Sequence, residues 1–234
     1  MLRRSAAELD GHRSLYDLRF GEGDRSAKDE VWREICRFLQ RRYIAPSASV
    51  MDIATDRGYF IRNVTSAERW ASDMRDTSES MPSDVHFVRS DGLALADVAP
   101  NDYFDVVFMS NYLEHLDSAE SVIEQLRVAR RLLKSGGRVV VLQPDIKLVG
   151  AAYWDFIDHR VPLTADSLCE AAAFAGFEHQ VVIRRFLPYS TKSRLPSHPL
   201  LVRAYLSFPP AWRLLGKQTL YVGMPADDAA AGRQ

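Results

Sequence analysis

From Ser26 to Tyr43 the apolar residues Val31, Trp32, Ile35, Cys36, Phe38 and Leu39 recur with the period of an amphipathic helix. Ile44-Ala45-Pro46 stops it, because proline pushes the residue before it out of the helical region. Beyond that point short apolar runs alternate with helical stretches. Ser49–Ala54, Glu68–Asp73, Val85–Arg89, Phe104–Ser110 and Arg138–Leu142 read as strands, the fourth being the most strongly apolar. Tyr59–Ser66 reads as a helix. So does Ser118–Lys134, with Val122, Ile123, Leu126, Ala129 and Leu133 on one stripe. Ser135-Gly136-Gly137 should end that helix, since glycine accepts a left-handed conformation without steric cost.

The last third continues differently. Thr164–Ala175 reads as a helix with Thr164 as N-cap and Gly176 just past its end. Phe177–Leu187 is a long strand, Lys217–Met224 a closing strand, and Pro188–Gly216 a proline-rich connection carrying an amphipathic stretch at Leu200–Leu206. Strands spaced by helices predict an α/β fold: a mainly parallel, seven-stranded sheet with helices on both faces. Residues 1–225 are expected to form one domain, with 1–45 an N-terminal lid and helix and 188–216 an insert between the last two strands. Residues 226–234, rich in Ala, Asp and Gly, read as a disordered tail.

Composition narrows the function classes. Across 234 residues, 30 Lys and Arg face 31 Asp and Glu, a net charge of -1. That balance offers no broad electrostatic footprint for nucleic acid or an acidic membrane, and neither is expected as a partner. The two cysteines, Cys36 and Cys169, belong to no CxxC or Cys/His cluster and read as buried thiols. The opening MLRRSAAELDGHR has no apolar stretch behind its arginines, and no window reaches the length of a membrane span. A cytoplasmic location is the expectation.

The first strand and its turn, Val50-Met51-Asp52-Ile53-Ala54-Thr55-Asp56-Arg57-Gly58, stand where α/β sheets bind nucleotides, although an ordinary strand–helix turn also reads this way. Further segments follow in order. Asp73 ends the second strand and Met74 follows it. Asp91-Gly92-Leu93 follows the third strand. The fourth runs Phe104-Asp105-Val106-Val107-Phe108-Met109-Ser110 into Asn111-Tyr112-Leu113-Glu114-His115-Leu116. Leu132-Leu133-Lys134-Ser135-Gly136-Gly137-Arg138 comes next. From about Trp32 to Met224 this series resembles the class I S-adenosylmethionine-dependent methyltransferases, in particular the bacterial small-molecule and glycan type, with a Rossmann-like fold. The family's first loop reads acidic-x-Gly-x-Gly-x-Gly. Asp52, Ala54, Asp56 and Gly58 take those places, so the glycine loop is degenerate.

The resemblance implies S-adenosyl-L-methionine as cofactor, held by Asp52, Ala54, Asp56, Gly58, Asp73 at the ribose, Met74, Asp91 near the adenine, Gly92, Leu93, Ser110, Asn111 and His115. Methyl transfer from a sulfonium needs alignment of donor and acceptor and, for a hydroxyl acceptor, removal of a proton. Histidine suits that removal. His115 and His159 are the catalytic candidates, with framing of the cofactor as the other reading of His115. In Tyr153-Trp154-Asp155-Phe156-Ile157-Asp158-His159 the aspartate beside His159 could fix its tautomer. Tyr16, Tyr153, Trp154 and His159 are the candidate acceptor contacts, although the aromatics also read as core. The spacing shows no metal-ligand motif, and no metal is expected. A small-molecule or sugar-bearing acceptor, methylated at oxygen, is the leading reading, with a homodimer among the partners the chain leaves open. The alternative is a methyltransferase-fold protein that has lost methyl transfer and catalyses another reaction or serves as a binding partner.

Overall fold

The computed structural model describes residues 23–189 and 198–226. Residues 1–22 of the expected lid, with Tyr16, and residues 227–234 of the expected tail lie outside them. Helix α1 (Gly23–Gln40) leads into β1 (Ser49–Ile53), α2 (Tyr59–Asn63), β2 (Glu68–Asp73), β3 (Val85–Arg89) and β4 (Phe104–Ser110). Then come α3 (Ala119–Leu132), β5 (Leu133–Pro144), the short α4 (Ile146–Val149), α5 (Ala165–Phe174) and β6 (Phe177–Ile183). Helices α6 (Pro199–Ser207) and α7 (Pro209–Leu215) precede β7 (Gln218–Pro225).

The strands form one sheet in the order β3-β2-β1-β4-β5-β7-β6. β1 to β5 pair in parallel, and β7 runs antiparallel between β5 and β6. Period-two alternation turns Met51, Ile53, Val107, Met109, Val139 and Val141 toward α3 and α5. It turns Val50, Val106, Phe108, Val140 and Leu142 toward α1, α2 and α6. Burial on both faces explains why these strands read as unbroken apolar runs. Strand order reverses between β1 and β4, and the crevice at the carboxyl ends of those two strands is where ligands bind in such sheets.

Two local expectations are corrected. Helix α3 ends at Leu132, because Leu133 is already extended (φ -77°, ψ 134°). The glycines instead serve β5. Gly136 at φ 75° sits within a register shift between Phe104↔Leu133 and Val106↔Arg138, so the turn is absorbed into the strand as a bulge. β6 stops at Ile183, before the exposed Arg184 and Arg185. Thr164 caps α5 as expected, in a reciprocal box with Ser167, and Gly176 follows at φ 84°.

The described part of the connection between β6 and β7 packs on α1. Arg203 donates to both carboxylate oxygens of the buried Glu34 at 2.9 and 2.8 Å. Trp212 meets the rings of Phe38 and Phe186 edge-on, and its Nε1 donates to the Tyr205 carbonyl at 2.8 Å.

Candidate functional site

The loop leaving β1 keeps the backbone of a glycine-rich turn with only one glycine in it. Ala54, Asp56 and Gly58 have φ of 56°, 51° and 71°, in the left-handed region that L side chains occupy at a cost of about 1–2 kcal/mol. At Gly58 the space is needed as well, since a Cβ would stand 2.5 Å from Met81 Sδ. Asp52 lies behind the loop. It is 3% exposed, and Thr55 Oγ1 donates to its Oδ2 at 2.5 Å. Burial, with the like charges of Asp73 and Asp56 and against the Thr55 hydrogen bond, pushes its pKa up to about 7. Its carboxyl shapes the loop from beneath.

Asp73, at the end of β2, closes the other side. It accepts the Asp56 N–H at 3.0 Å, the Arg75 N–H at 2.9 Å and Arg75 Nε at 3.1 Å. Arg75 Nη2 also reaches Asp56 Oδ1 at 2.8 Å, so one guanidinium braces both carboxylates. Burial lowers the Arg75 pKa, but the two carboxylates outweigh it and hold it above its ordinary value. After β3, Asp91 is exposed and caps the 3-10 helix Gly92–Asp97 by accepting the Leu93 N–H at 3.1 Å. Gly92 is buried, and a Cβ there would meet Tyr112 Oη at 2.4 Å and Gln125 Oε1 at 2.6 Å. Met74 is half-buried, and its carbonyl accepts from Arg89 Nε.

At the end of β4, Ser110 Oγ accepts from the exposed Asn111, itself at φ 48°. A 3-10 turn, Leu113–His115, then places Glu114 inward and His115 at the rim. The Glu114 carbonyl accepts the N–H groups of Arg160 and Val161 at 2.8 and 3.1 Å, which straps the segment after β5 onto this turn. His115 and His159 consequently meet, with ring centroids 4.9 Å apart. His115 Nδ1 lies 3.0 Å from the Asp158 carbonyl oxygen. A carbonyl only accepts, so Nδ1 carries the proton, and in the neutral ring Nε2 keeps its lone pair.

Asp158 therefore faces His115, through its carbonyl and its carboxylate. His159 is 9% exposed, stacked on Phe156 and tilted against Tyr153. Tyr153 is fully buried, and its hydroxyl donates to the Val161 carbonyl at 2.6 Å. It is core rather than an acceptor wall, because that hydroxyl is spent inside. Trp154 is 51% exposed. Two residues of this region escape sequence reasoning. In the sequence Arg75 is one cation among many, and Glu114 stands within the segment after β4 with no role of its own. An acidic residue lodged between Leu113 and His115 was the one available signal.

A cleft of about 500 Å³ lies elsewhere, lined by Asn101, Asp102, Arg130, Lys134 and Gly136. It opens at the amino ends of β4 and β5, away from the switch point, and brings none of these side chains together.

Residues 25–181 match the family model described as a methyltransferase domain. The chain belongs to that family. It is accordingly a methyltransferase, and its cofactor is S-adenosyl-L-methionine. The residues present fit that group, since Ala54, Asp56 and Gly58 all hold positive φ in the loop after β1 and a buried carboxylate ends β2. No curated protein sequence matches the chain.

Among solved structures, the chain is similar to a complex of the Haloferax volcanii Trm112 methyltransferase activator with a methyltransferase. Identity there is 18%, coverage 88% of this chain and 95% of the other, and the TM-score 0.62. A SAM-dependent methyltransferase from Archaeoglobus fulgidus is 19% identical over 82% and 94% of the two chains, with TM-score 0.59. An S-adenosylmethionine-dependent methyltransferase from Mesorhizobium loti is 17% identical over 76% and 91%, with TM-score 0.56. At these identities the likeness is one of fold. Among the described residues no helix is long and apolar enough to cross a membrane.

Proposed function

We propose that this enzyme methylates an oxygen of a small-molecule or sugar-bearing acceptor. The observation that carries the reading is the His115–His159 pair at the carboxyl end of β4. There one imidazole has its Nδ1 proton committed to the Asp158 carbonyl and its Nε2 lone pair left to take a proton. The cofactor supplies an electrophilic methyl group. The chain's part is to hold it, orient the acceptor, and receive the acceptor's proton at His115 Nε2.

In this reading the loop Asp52–Gly58, with Ala54 and Asp56, cradles the cofactor by its backbone. Asp73 takes the ribose hydroxyls, Met74 flanks them, and Asp91, Gly92 and Leu93 face the adenine. Ser110 and Asn111 line the other end. Trp154 is the exposed aromatic offered to the acceptor. The balanced charge speaks against nucleic acid as that acceptor. The apolar side chains that α6 and α7 leave in solvent, such as Leu201 and Leu214, support a homodimer as the assembly in this reading.

Calorimetry with S-adenosylmethionine and S-adenosylhomocysteine, then labelled methyl transfer to a panel of hydroxylated acceptors, tests the proposal. Asp73→Ala should weaken cofactor binding by about 1–3 kcal/mol. His115→Ala should leave that affinity in place and slow transfer. Binding of both nucleosides without transfer to any oxygen acceptor would sink the O-methylation reading.

A further inference from the structure

Glu114 is a carboxylate buried without a hydrogen-bond partner among the described residues. Its side chain is 1% exposed, and neither carboxylate oxygen has a hydrogen-bond partner there. An ionised carboxylate is retained in such a place only when something cationic meets it, and leaving one unmatched is strongly destabilising. What faces it is not a lysine or an arginine but two imidazoles. One oxygen of Glu114 and one nitrogen each of His115 and His159 lie within 4.8 Å of one another.

The surroundings prepare these groups as ligands. The Asp158 carbonyl takes the Nδ1 proton of His115, and Asp158 Oδ2 stands 3.5 Å from the same nitrogen. Metal-bound histidines are oriented in this manner, with the non-ligating N–H given to a carbonyl or carboxylate. His159 is held by ring packing against Phe156 and Tyr153. The backbone bonds from Arg160 and Val161 to the Glu114 carbonyl fix the two halves of the cluster to each other.

We infer that Glu114, His115 and His159 form a binding site for a divalent transition-metal ion of the Zn²⁺ type. Two imidazole nitrogens and one carboxylate oxygen suit a borderline ion and disfavour Mg²⁺ or Ca²⁺, which prefer oxygen throughout. Metal–ligand bonds of about 2.0–2.2 Å place tetrahedral ligand atoms roughly 3.4 Å apart, so the widest pair closes by up to roughly 1.4 Å. His115, whose side chain is 31% exposed, has the freedom to do so. Three protein ligands leave a further coordination position, as in catalytic rather than structural zinc sites. With the ion bound, Nε2 of His115 would be a ligand and no longer a base, and an acceptor hydroxyl on the open position, made more acidic by the ion, would give its proton to solvent water.

The site is tested without cofactor or acceptor, so its failure would leave the methyl-transfer reading standing. The full chain is stripped with a chelator, dialysed, and titrated with Zn²⁺, Co²⁺ and Mg²⁺ by calorimetry, with visible absorption followed for Co²⁺. One Zn²⁺ or Co²⁺ per chain is expected, with d–d bands of a low-coordinate nitrogen and oxygen site and no comparable Mg²⁺ binding. Glu114→Gln and His159→Ala should each lower Zn²⁺ affinity at least tenfold, and His179→Ala should not. Because Glu114 is buried, far-UV circular dichroism accompanies its variant. His115→Ala, at the rim, provides the same loss without disturbing the core. Absence of stoichiometric binding by the unaltered chain, or affinity undiminished in His115→Ala and His159→Ala, overturns the inference.

Discussion

Asp52→Asn should make the protein more stable at alkaline pH and leave it almost unchanged in acid. The carboxyl is buried behind the loop and keeps its proton until about pH 7, whereas the exposed group releases it near 3.8. Between those values the native state binds the extra proton, so unfolding becomes easier as pH rises. The penalty is absent below the unfolded pKa, grows through the interval, and is complete above about pH 7. Some three units at 1.36 kcal/mol each give a full effect of roughly 4 kcal/mol, an upper figure for a group that relaxes on ionising. Asparagine keeps the shape and an oxygen for Thr55 but cannot ionise. Urea denaturation of both proteins at half-unit steps from pH 4 to 8.5 gives the difference in stability, in which other titrating groups cancel. Near pH 4 that difference should lie within about 1 kcal/mol, and by pH 8 it should reach several in favour of the variant. A difference that stays flat, or a variant less stable at pH 8, would refute the assignment of a proton-holding Asp52.

Other outcomes follow from the same geometry. Asp56→Gly relieves a left-handed L residue (φ 51°) while releasing Arg75, so the fold should tolerate it within about 1 kcal/mol. Cofactor affinity by calorimetry should hold or rise, and a tenfold loss would make the carboxylate a required contact. Gly92→Ala drives a methyl into Tyr112 Oη and Gln125 Oε1 and should cost about 1–3 kcal/mol in thermal or urea unfolding. Unchanged stability would mean that the site yields more easily than its contacts imply. Trp212→Ala strips a ring from Phe38 and Phe186 and should destabilise by about 2–4 kcal/mol. A negligible effect would show that α6 and α7 cover the sheet without supporting it.

The strands were legible because burial on both faces leaves runs such as FDVVFMS without interruption, and β2, β3 and β4 begin and end where the pattern places them. Gly136 misled for a physical reason. A glycine with positive φ serves a helix end or a strand bulge equally well, and only the pairing of Phe104 with Leu133 decides between them. The order of acidic residues after successive strands located the switch point. It could not tell that Asp52 faces inward or that Asp73 is braced by Arg75, because both depend on side-chain direction. The meeting of Glu114 with His159 was hidden for another reason. It is made by backbone bonds from Arg160 and Val161, which leave no mark on residue type.

The placement of β7 sets the order in which the molecule can be completed. Among the described residues β6 pairs with no strand but β7, and β7 supplies the neighbour of β5, with Thr219, Leu220 and Tyr221 wholly buried. Every described residue of the switch-point crevice and of the His115–His159 cluster is synthesised well before Gln218–Pro225. The parallel half of the sheet can therefore gather early, yet β5 keeps an open edge and β6 has nothing to join until the end. Such distant pairing makes folding slow and leaves an apolar edge as a template for other chains. A chain cut after Lys217 should pellet on sedimentation with its site residues intact. During synthesis, exposure of β5 lasts as long as the ribosome takes to deliver the last strand, and anything that delays that delivery favours association between nascent chains over closure within one.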